Sequence, residues 1–265
     1  MSGIMTQETY LSQLKQSAVF FKNVPQLTAQ FQAIKASLTR LQQKQLPQHN
    51  LPVLGIDESL YLTLLLAAEQ GQFKAVSSQR LQAQIKKTDH LLRNYRQYLQ
   101  NQFGMWAYIS QDLTDSIVQQ FPDWRFLEIM AGNGYLSAGL RAAGAESVIC
   151  TDSLAWTSEN QTGRQLLTQV APLDAQAALK QYGDQVDAVL MSWSPNGVPI
   201  DLAVLNQLRQ LENGPVLLCL GERYGATNST EFWDAAHFHN DQRLSRVNRY
   251  LRPFDLMRDR FYWIQ

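Results

Sequence analysis

Residues 125–140 read RFLEIMAGNGYLSAGL. An apolar run, Phe126 to Met130, is interrupted by one carboxylate, Glu128. Gly132-Asn133-Gly134 follows, and then a pattern that can open a helix. A strand that enters a glycine turn and leaves as a helix is the start of a β-α unit. A buried carboxylate without a partner is costly, so Glu128 points to a strand whose end faces a ligand. Glycine at the turn lets the backbone bend sharply and approach that ligand closely.

Outward from this stretch, the rhythm toward the C-terminus alternates. Short β-rich runs at 125–130, 147–151, 168–171, 186–192 and 215–220 are separated by helical segments. That alternation implies βαβ units and a mostly parallel sheet covered on both faces. Beyond residue 240, two extended stretches at about 243–250 and 258–264, with Arg252-Pro253-Phe254-Asp255 between them, predict a hairpin that supplies an antiparallel C-terminal edge strand.

Toward the N-terminus the period is helical. Asn23 as N-cap and Pro25 in the first turn open a helix running to about Lys44, with Leu27, Phe31, Ile34, Leu38 and Leu41 on one stripe. The stripe suits packing within the chain, with a homodimer through these helices as the alternative. Asp57–Gln70 reads as a nearly all-apolar helix, and Ser78–Asn101 as one amphipathic helix. The expected organisation is a helical region over 1–110 and a Rossmann-like domain over 111–265.

The chain has 265 residues, with Lys+Arg 23 balancing Asp+Glu 23. Such a chain has no global positive field to concentrate nucleic acid. Cys150 and Cys219 sit in apolar runs and read as reduced core residues in neighbouring strands. The first ten residues, MSGIMTQETY, show no signal-peptide pattern, and no apolar run approaches the ~20 residues that span a bilayer. A cytoplasmic protein without membrane contact is expected.

Open α/β sheets bind ligands outside the carboxyl ends of their strands. Asp152 follows the second strand, 20 residues beyond Gly132, the separation that sets a carboxylate over a ribose. A dinucleotide fold would want G-x-G-x-x-G, but Ser137 holds the third glycine's place. Glu128 beneath the loop would also repel a pyrophosphate. It suits a cationic ligand, and the α-ammonium and sulfonium of S-adenosylmethionine meet that requirement. An NAD-binding oxidoreductase is the disfavoured rival.

Glu128-Ile129-Met130-Ala131-Gly132-Asn133-Gly134 resembles motif I of the class I S-adenosylmethionine-dependent methyltransferases, with Met130 in place of the first glycine. Asp187 to Pro195 is similar to motif IV. Gly104 to Ser110, Trp193-Ser194-Pro195, and Gly221-Glu222 followed by Thr227 and Phe232 resemble a group of methyltransferase-like proteins. The resemblance covers about 103–265. It implies a Rossmann-like methyltransferase fold, a ribose role for Asp152 and an adenine contact for Asp174. With Glu128, Ala131, Gly132, Asn133, Gly134, Ser153, Ser192 and Trp106, these form the expected cofactor-binding set. On the acceptor side, Trp193 is expected to wall the methyl group and Ser194 to position the acceptor. Glu222 or His237 would serve as a base where one is needed. Trp106 and Tyr108 are expected to cover the cofactor.

Each has a plainer reading. Asp174 and Asp152 could cap helices, Glu222 could form a salt bridge, and His237-Phe238-His239 is too sparse for a metal site. Arg243, Arg246, Arg249, Arg252, Arg258 and Arg260 could grip RNA phosphate, but a solvated strand face is favoured. The expected reaction is methyl transfer to an unidentified small-molecule or protein acceptor. A protein that holds the cofactor without turnover is the alternative.

Overall fold

The computed structural model describes residues 7–265; the reading of residues 1–6 as free of a signal peptide lies outside them. Six helices come first: α1 (Gln7–Phe20), α2 (Pro25–Gln42), α3 (Glu58–Glu69), α4 (Ser78–Arg93), α5 (Tyr95–Phe103) and α6 (Gln111–Gln120). The alternating part follows: β1 (Arg125–Ile129), α7 (Tyr135–Ala142), β2 (Ser147–Asp152), β3 (Ala171–Pro172), α8 (Ala175–Tyr182), β4 (Ala188–Ser192), α9 (Ile200–Leu208), β5 (Val216–Gly221) and α10 (Thr230–Ala235). The chain closes with β6 (Phe238–His239), α11 (Gln242–Val247) and β7 (Arg260–Ile264).

The seven strands form one sheet in the order β3-β2-β1-β4-β5-β7-β6. β3, β2, β1, β4 and β5 are parallel, and β7 runs antiparallel to β5. The α/β class expected from the alternation is therefore present. Two local expectations change. The antiparallel C-terminal strand lies one place in from the edge, with two-residue β6 beyond it. The segment 243–250 is no strand: α11 and a short 3-10 turn at Asn248–Tyr250 occupy it. Asp241 caps α11 by accepting from the Arg243 N–H at 2.7 Å, while Leu244 and Val247 turn inward. The hairpin is replaced by a helix, a loop and a single strand.

Order reverses between β1 and β4, where β2 leaves on one side and β4 on the other. This is the switch point at which an open sheet leaves a crevice. Side chains alternate across the sheet. Phe126, Ala188, Leu190, Leu218 and Leu220 belong to one continuous core with the N-terminal helices, α7 and α11. Leu127, Ile129, Val189, Met191, Leu217 and Cys219 face α8, α9 and α10. The α2 stripe is inside the first core: Leu27, Phe31, Ile34, Leu38 and Leu41 are all buried. α2 begins after Val24, which makes no side-chain cap, so Asn23 is not the N-cap. The predicted helix 78–101 is two helices, broken at Asn94 (φ −89°, ψ 11°). α3 buries only Leu60 and Leu64, leaving Leu62 and Leu66 exposed.

Cys150 and Cys219 are free and buried. They lie in β2 and β5, separated by β1 and β4, and are not in neighbouring strands. Among the described residues, no helix is long and apolar enough to cross a membrane.

Candidate active site

A cleft of about 520 Å³ opens at the carboxyl ends of the parallel strands. Met130, Ala131 and Gly132 line it after β1, Asp152 and Ser153 after β2, and Asp174 after β3. Ser192 to Asn196 line it at the end of β4, and Ala226 after β5. Gly104, Trp106, Ala107 and Ile109 come from the connection between α5 and α6. Of the residues expected to bind cofactor, Glu128, Ala131, Gly132, Asp152, Ser153, Asp174, Ser192 and Trp106 meet in this cleft.

Glu128 is 2% exposed. Its Oε2 accepts from the Ser137 backbone N–H at 2.9 Å and from the Ser137 hydroxyl at 2.5 Å. Ser137 lies in the first turn of α7, so the carboxylate also satisfies an orphan donor of that helix. Burial pushes the Glu128 carboxyl up to about 7, against the pull of the two Ser137 donors. The residue that spoils the dinucleotide fingerprint is the one that holds the acid.

Asp152 closes the loop. Its Oδ2 accepts from Gly132 N–H at 2.8 Å and its Oδ1 from Leu154 N–H at 2.6 Å. Each oxygen keeps a second lone pair for a ligand hydroxyl. Asp174 is the N-cap of α8, accepting from Ala177 N–H at 2.8 Å, and lines the cleft as well.

Asn133 and Gly134 stand behind the lining. Asn133 is 1% exposed, and its amide donates to Phe103 O at 2.8 Å and Gln161 O at 3.1 Å. Tyr135 donates to the same Phe103 carbonyl at 2.8 Å. These bonds stitch the end of α5 to the glycine loop. Gly134 (φ 73°) opens α7, where a Cβ would meet Thr168 Cγ2 at 2.9 Å. Both are braces of the loop and do not line the cleft.

Met130 has φ 52°. The left-handed region favours glycine, so the backbone still takes the conformation that the expected glycine would allow. It is one of a set: Leu154 (φ 56°), Trp193 (φ 54°) and Tyr224 (φ 54°) stand in the loops after β2, β4 and β5. Non-glycine residues in this region cost of order 1–3 kcal/mol each and gather at functional sites.

Trp193 lines the cleft and is held from outside it. Its Nε1 donates to Asp259 Oδ1 at 2.9 Å, and the Arg96 guanidinium lies 5.0 Å from its ring centroid. Arg96, nearly buried, forms a two-pronged pair with Asp255 (2.6 and 3.1 Å), reaches Asp259 at 3.5 Å and donates to Trp106 O at 3.0 Å. Desolvation raises the Asp259 carboxyl to about 6, while Arg96 and the Trp193 indole pull it down. This network escaped sequence reading because its members lie on α5, on the loop after β4 and before β7. Trp156, Asn160 and Thr162, in the irregular connection between β2 and β3, carry no motif that marks them; Thr162 accepts from the Trp106 indole at 3.0 Å.

Ser194 lines the cleft, is 1% exposed, and its hydroxyl has no partner among the described residues. Its carbonyl accepts from Asn228 N–H at 2.9 Å.

Three expectations move. Glu222 does not line the cleft: its oxygens accept from the backbone N–H groups of Arg258 (3.0 Å) and Ala226 (3.1 Å), fastening the β5 loop. His237 is carried away by register. Phe238 pairs with Ile264, which pairs with Leu217, so His237 sits at the amino end of β5, opposite the cleft. Tyr108 turns into the core, where its hydroxyl donates to Ser37 Oγ at 3.2 Å. Of the C-terminal arginines, only Arg260 lies in a strand. Arg243 pairs with Asp241 and lies over the Phe121 and Trp124 rings, and Arg246 donates to Gln120.

No family model matches the sequence, and no curated protein matches it. Among solved structures, a SAM dependent methyltransferase from Archaeoglobus fulgidus is 16% identical, covering 48% of this chain and 59% of that one, at a TM-score of 0.31. An O-methyltransferase family protein from Burkholderia thailandensis is 10% identical over 78% and 69% (TM-score 0.35). An rRNA methylase from Escherichia coli is 14% identical over 97% and 91% (TM-score 0.31). Methyltransferases thus recur among the similar folds, at a likeness too low to bear on reaction or substrate.

Proposed function

We propose that this chain binds S-adenosylmethionine across the ends of β1, β2 and β3 and serves methyl transfer to an acceptor held by the loops after β4 and β5. One observation carries the reading. At the switch point of the sheet, the Gly132 N–H is bonded to Asp152 in the same cleft as the buried carboxyl of Glu128.

The residues present fit that ligand. The carboxylates lining the cleft are Glu128, Asp152 and Asp174, and no Lys or Arg is among the lining residues. That set suits a ligand with an ammonium, a sulfonium and ribose hydroxyls, and it opposes a pyrophosphate. Glu128 faces the cationic end, and Asp152 can accept from a ribose. Trp106, fixed to Thr162, lines the cleft beside them. Bound there, S-adenosylmethionine supplies a methyl group already activated by its sulfonium. The protein's contribution is alignment of the acceptor and exclusion of water.

A second reading, a protein that holds the ligand without transfer, is favoured by one feature. None of the lining residues from the loops after β4 and β5 is titratable in the neutral range.

Calorimetry with S-adenosylmethionine, S-adenosylhomocysteine and NAD tests the proposal. Heat with either adenosyl compound and none with NAD is expected. Asp152→Asn, which keeps an oxygen for the Gly132 N–H but sets an NH2 against the Leu154 N–H, should weaken that binding at least roughly tenfold. Folded protein giving no heat with the adenosyl compounds would sink the reading.

A further inference from the structure

The cleft has two chemically different halves. The loops after β2 and β3 contribute Asp152 and Asp174, and Glu128 lies between the halves in β1. The loops after β4 and β5 contribute Ser192, Trp193, Ser194, Pro195, Asn196 and Ala226, and the approach to α9 adds Val198 and Ile200. This second half has no charged side chain. It offers one indole, aliphatic surface and one buried hydroxyl that has no partner among the described residues. A native interior rarely leaves such a hydroxyl unpaired, and an orphan at a site calls for an explanation.

The half is also fixed in advance. The Ser194 carbonyl is bonded to Asn228 N–H, Pro195 bridges to Thr227, and Trp193 N–H donates to Leu220 O at 2.8 Å. The Trp193 ring is braced by Asp259 and by the Arg96 guanidinium, neither of which lines the cleft. A ring that already carries one cation favours a neutral partner over a second cation. An anion would find no Lys or Arg to meet it among the lining residues.

We propose that this half binds an uncharged aromatic ring bearing a hydrogen-bonding substituent, with the ring against Trp193 and the substituent on Ser194 Oγ. The ligand is a small molecule, because the whole cleft is about 520 Å³. The identity of this ligand as methyl acceptor rests on the function proposed above; its binding does not.

The test uses naphthol, naphthalene and naphthoate as probes in ligand-observed NMR titrations of the full chain, with and without saturating S-adenosylhomocysteine. Naphthol should bind at least roughly tenfold more tightly than naphthoate, whose charge would be desolvated without a partner. Its binding should persist when S-adenosylhomocysteine is present. Ser194→Ala should weaken naphthol roughly three- to tenfold, the worth of one hydrogen bond, and leave naphthalene unchanged. The proposal is overturned if naphthoate binds as well as naphthol. Displacement of naphthol by S-adenosylhomocysteine overturns it as well, and so does an equal effect of Ser194→Ala on naphthol and naphthalene. Calorimetry with S-adenosylhomocysteine on the same samples keeps the two readings apart. Heat without the naphthol pattern overturns this inference alone, and the naphthol pattern without heat supports this inference while removing the donor assignment.

Discussion

A carboxyl buried as fully as Glu128 holds its proton to about 7, against an ordinary value of 4.5. The unfolded chain releases that proton at lower pH than the folded one does. Stability from this group is therefore complete below about 4.5 and falls as pH rises toward 7, by about 3 kcal/mol in all. Glu128→Gln should remove most of this decline, read as a flatter dependence of Tm on pH. A cationic ligand acts in the opposite sense, because it prefers the ionised acid. Its affinity should rise as pH passes through about 7, and binding near neutrality should release protons, seen as calorimetric heats that vary with the buffer. Met130 presents a simpler case. Met130→Gly should relieve a left-handed non-glycine backbone and leave stability within about 1 kcal/mol of the parent, strain relief being offset by the freer unfolded chain. A loss well beyond that in denaturant melts would mean that the side chain's packing matters more than its backbone. Glu128, Gly132 and Asp152 were legible in the sequence because their spacing is local to two β-α units. The Ser137 donors to Glu128 were hidden, since nothing in the residue type says which way a helix's first turn will face.

At the scale of elements, the parallel strands were legible because apolar runs alternate with helical stretches. The sequence pattern predicts β3 at 168–171, yet only Ala171–Pro172 pairs with β2, where proline and polar neighbours give the run little β character. Segment 243–250 was misread as extended because its arginines obscured Leu244, Val247 and the Asp241 cap, which together specify a helix. The consequence reached the site: with the hairpin gone, the loop before β7 is free to bring Asp255 and Asp259 to Arg96. Asp259→Ala removes the acceptor of the Trp193 indole while leaving Asp255 on Arg96. It should destabilise the protein by about 1–3 kcal/mol and alter Trp193 emission, and Asp259→Asn should restore the emission by keeping an acceptor. The parent should show an acid-side change near pH 6, where Asp259 gains its proton. Asp259→Asn, with no such proton to gain, should lack it.

For the whole molecule, the helical N-terminal region is half of the core and a wall of the cleft. Phe126, Leu190, Leu218 and Leu220 share one core with its helices and with α7 and α11, and without it Gly104, Trp106 and Ile109 would be missing from the lining. A fragment of residues 111–265 should express as insoluble or molten protein, with near-ultraviolet circular dichroism lost. A well-dispersed NMR spectrum from that fragment would contradict this. The sequence showed two rhythms and suggested a boundary near 110; it could not show that the helices of the first rhythm share one core with a face of the sheet. Arg96 makes the dependence explicit. It belongs to α5 yet touches Trp106 O, Trp193, Phe254, Asp255 and Asp259. Five partners on one guanidinium leave little room for independent drift. Among relatives of this chain these positions should be inherited as a block: a lineage that loses the arginine should also have replaced both aspartates and the tryptophan, and intermediates lacking only one member should be rare.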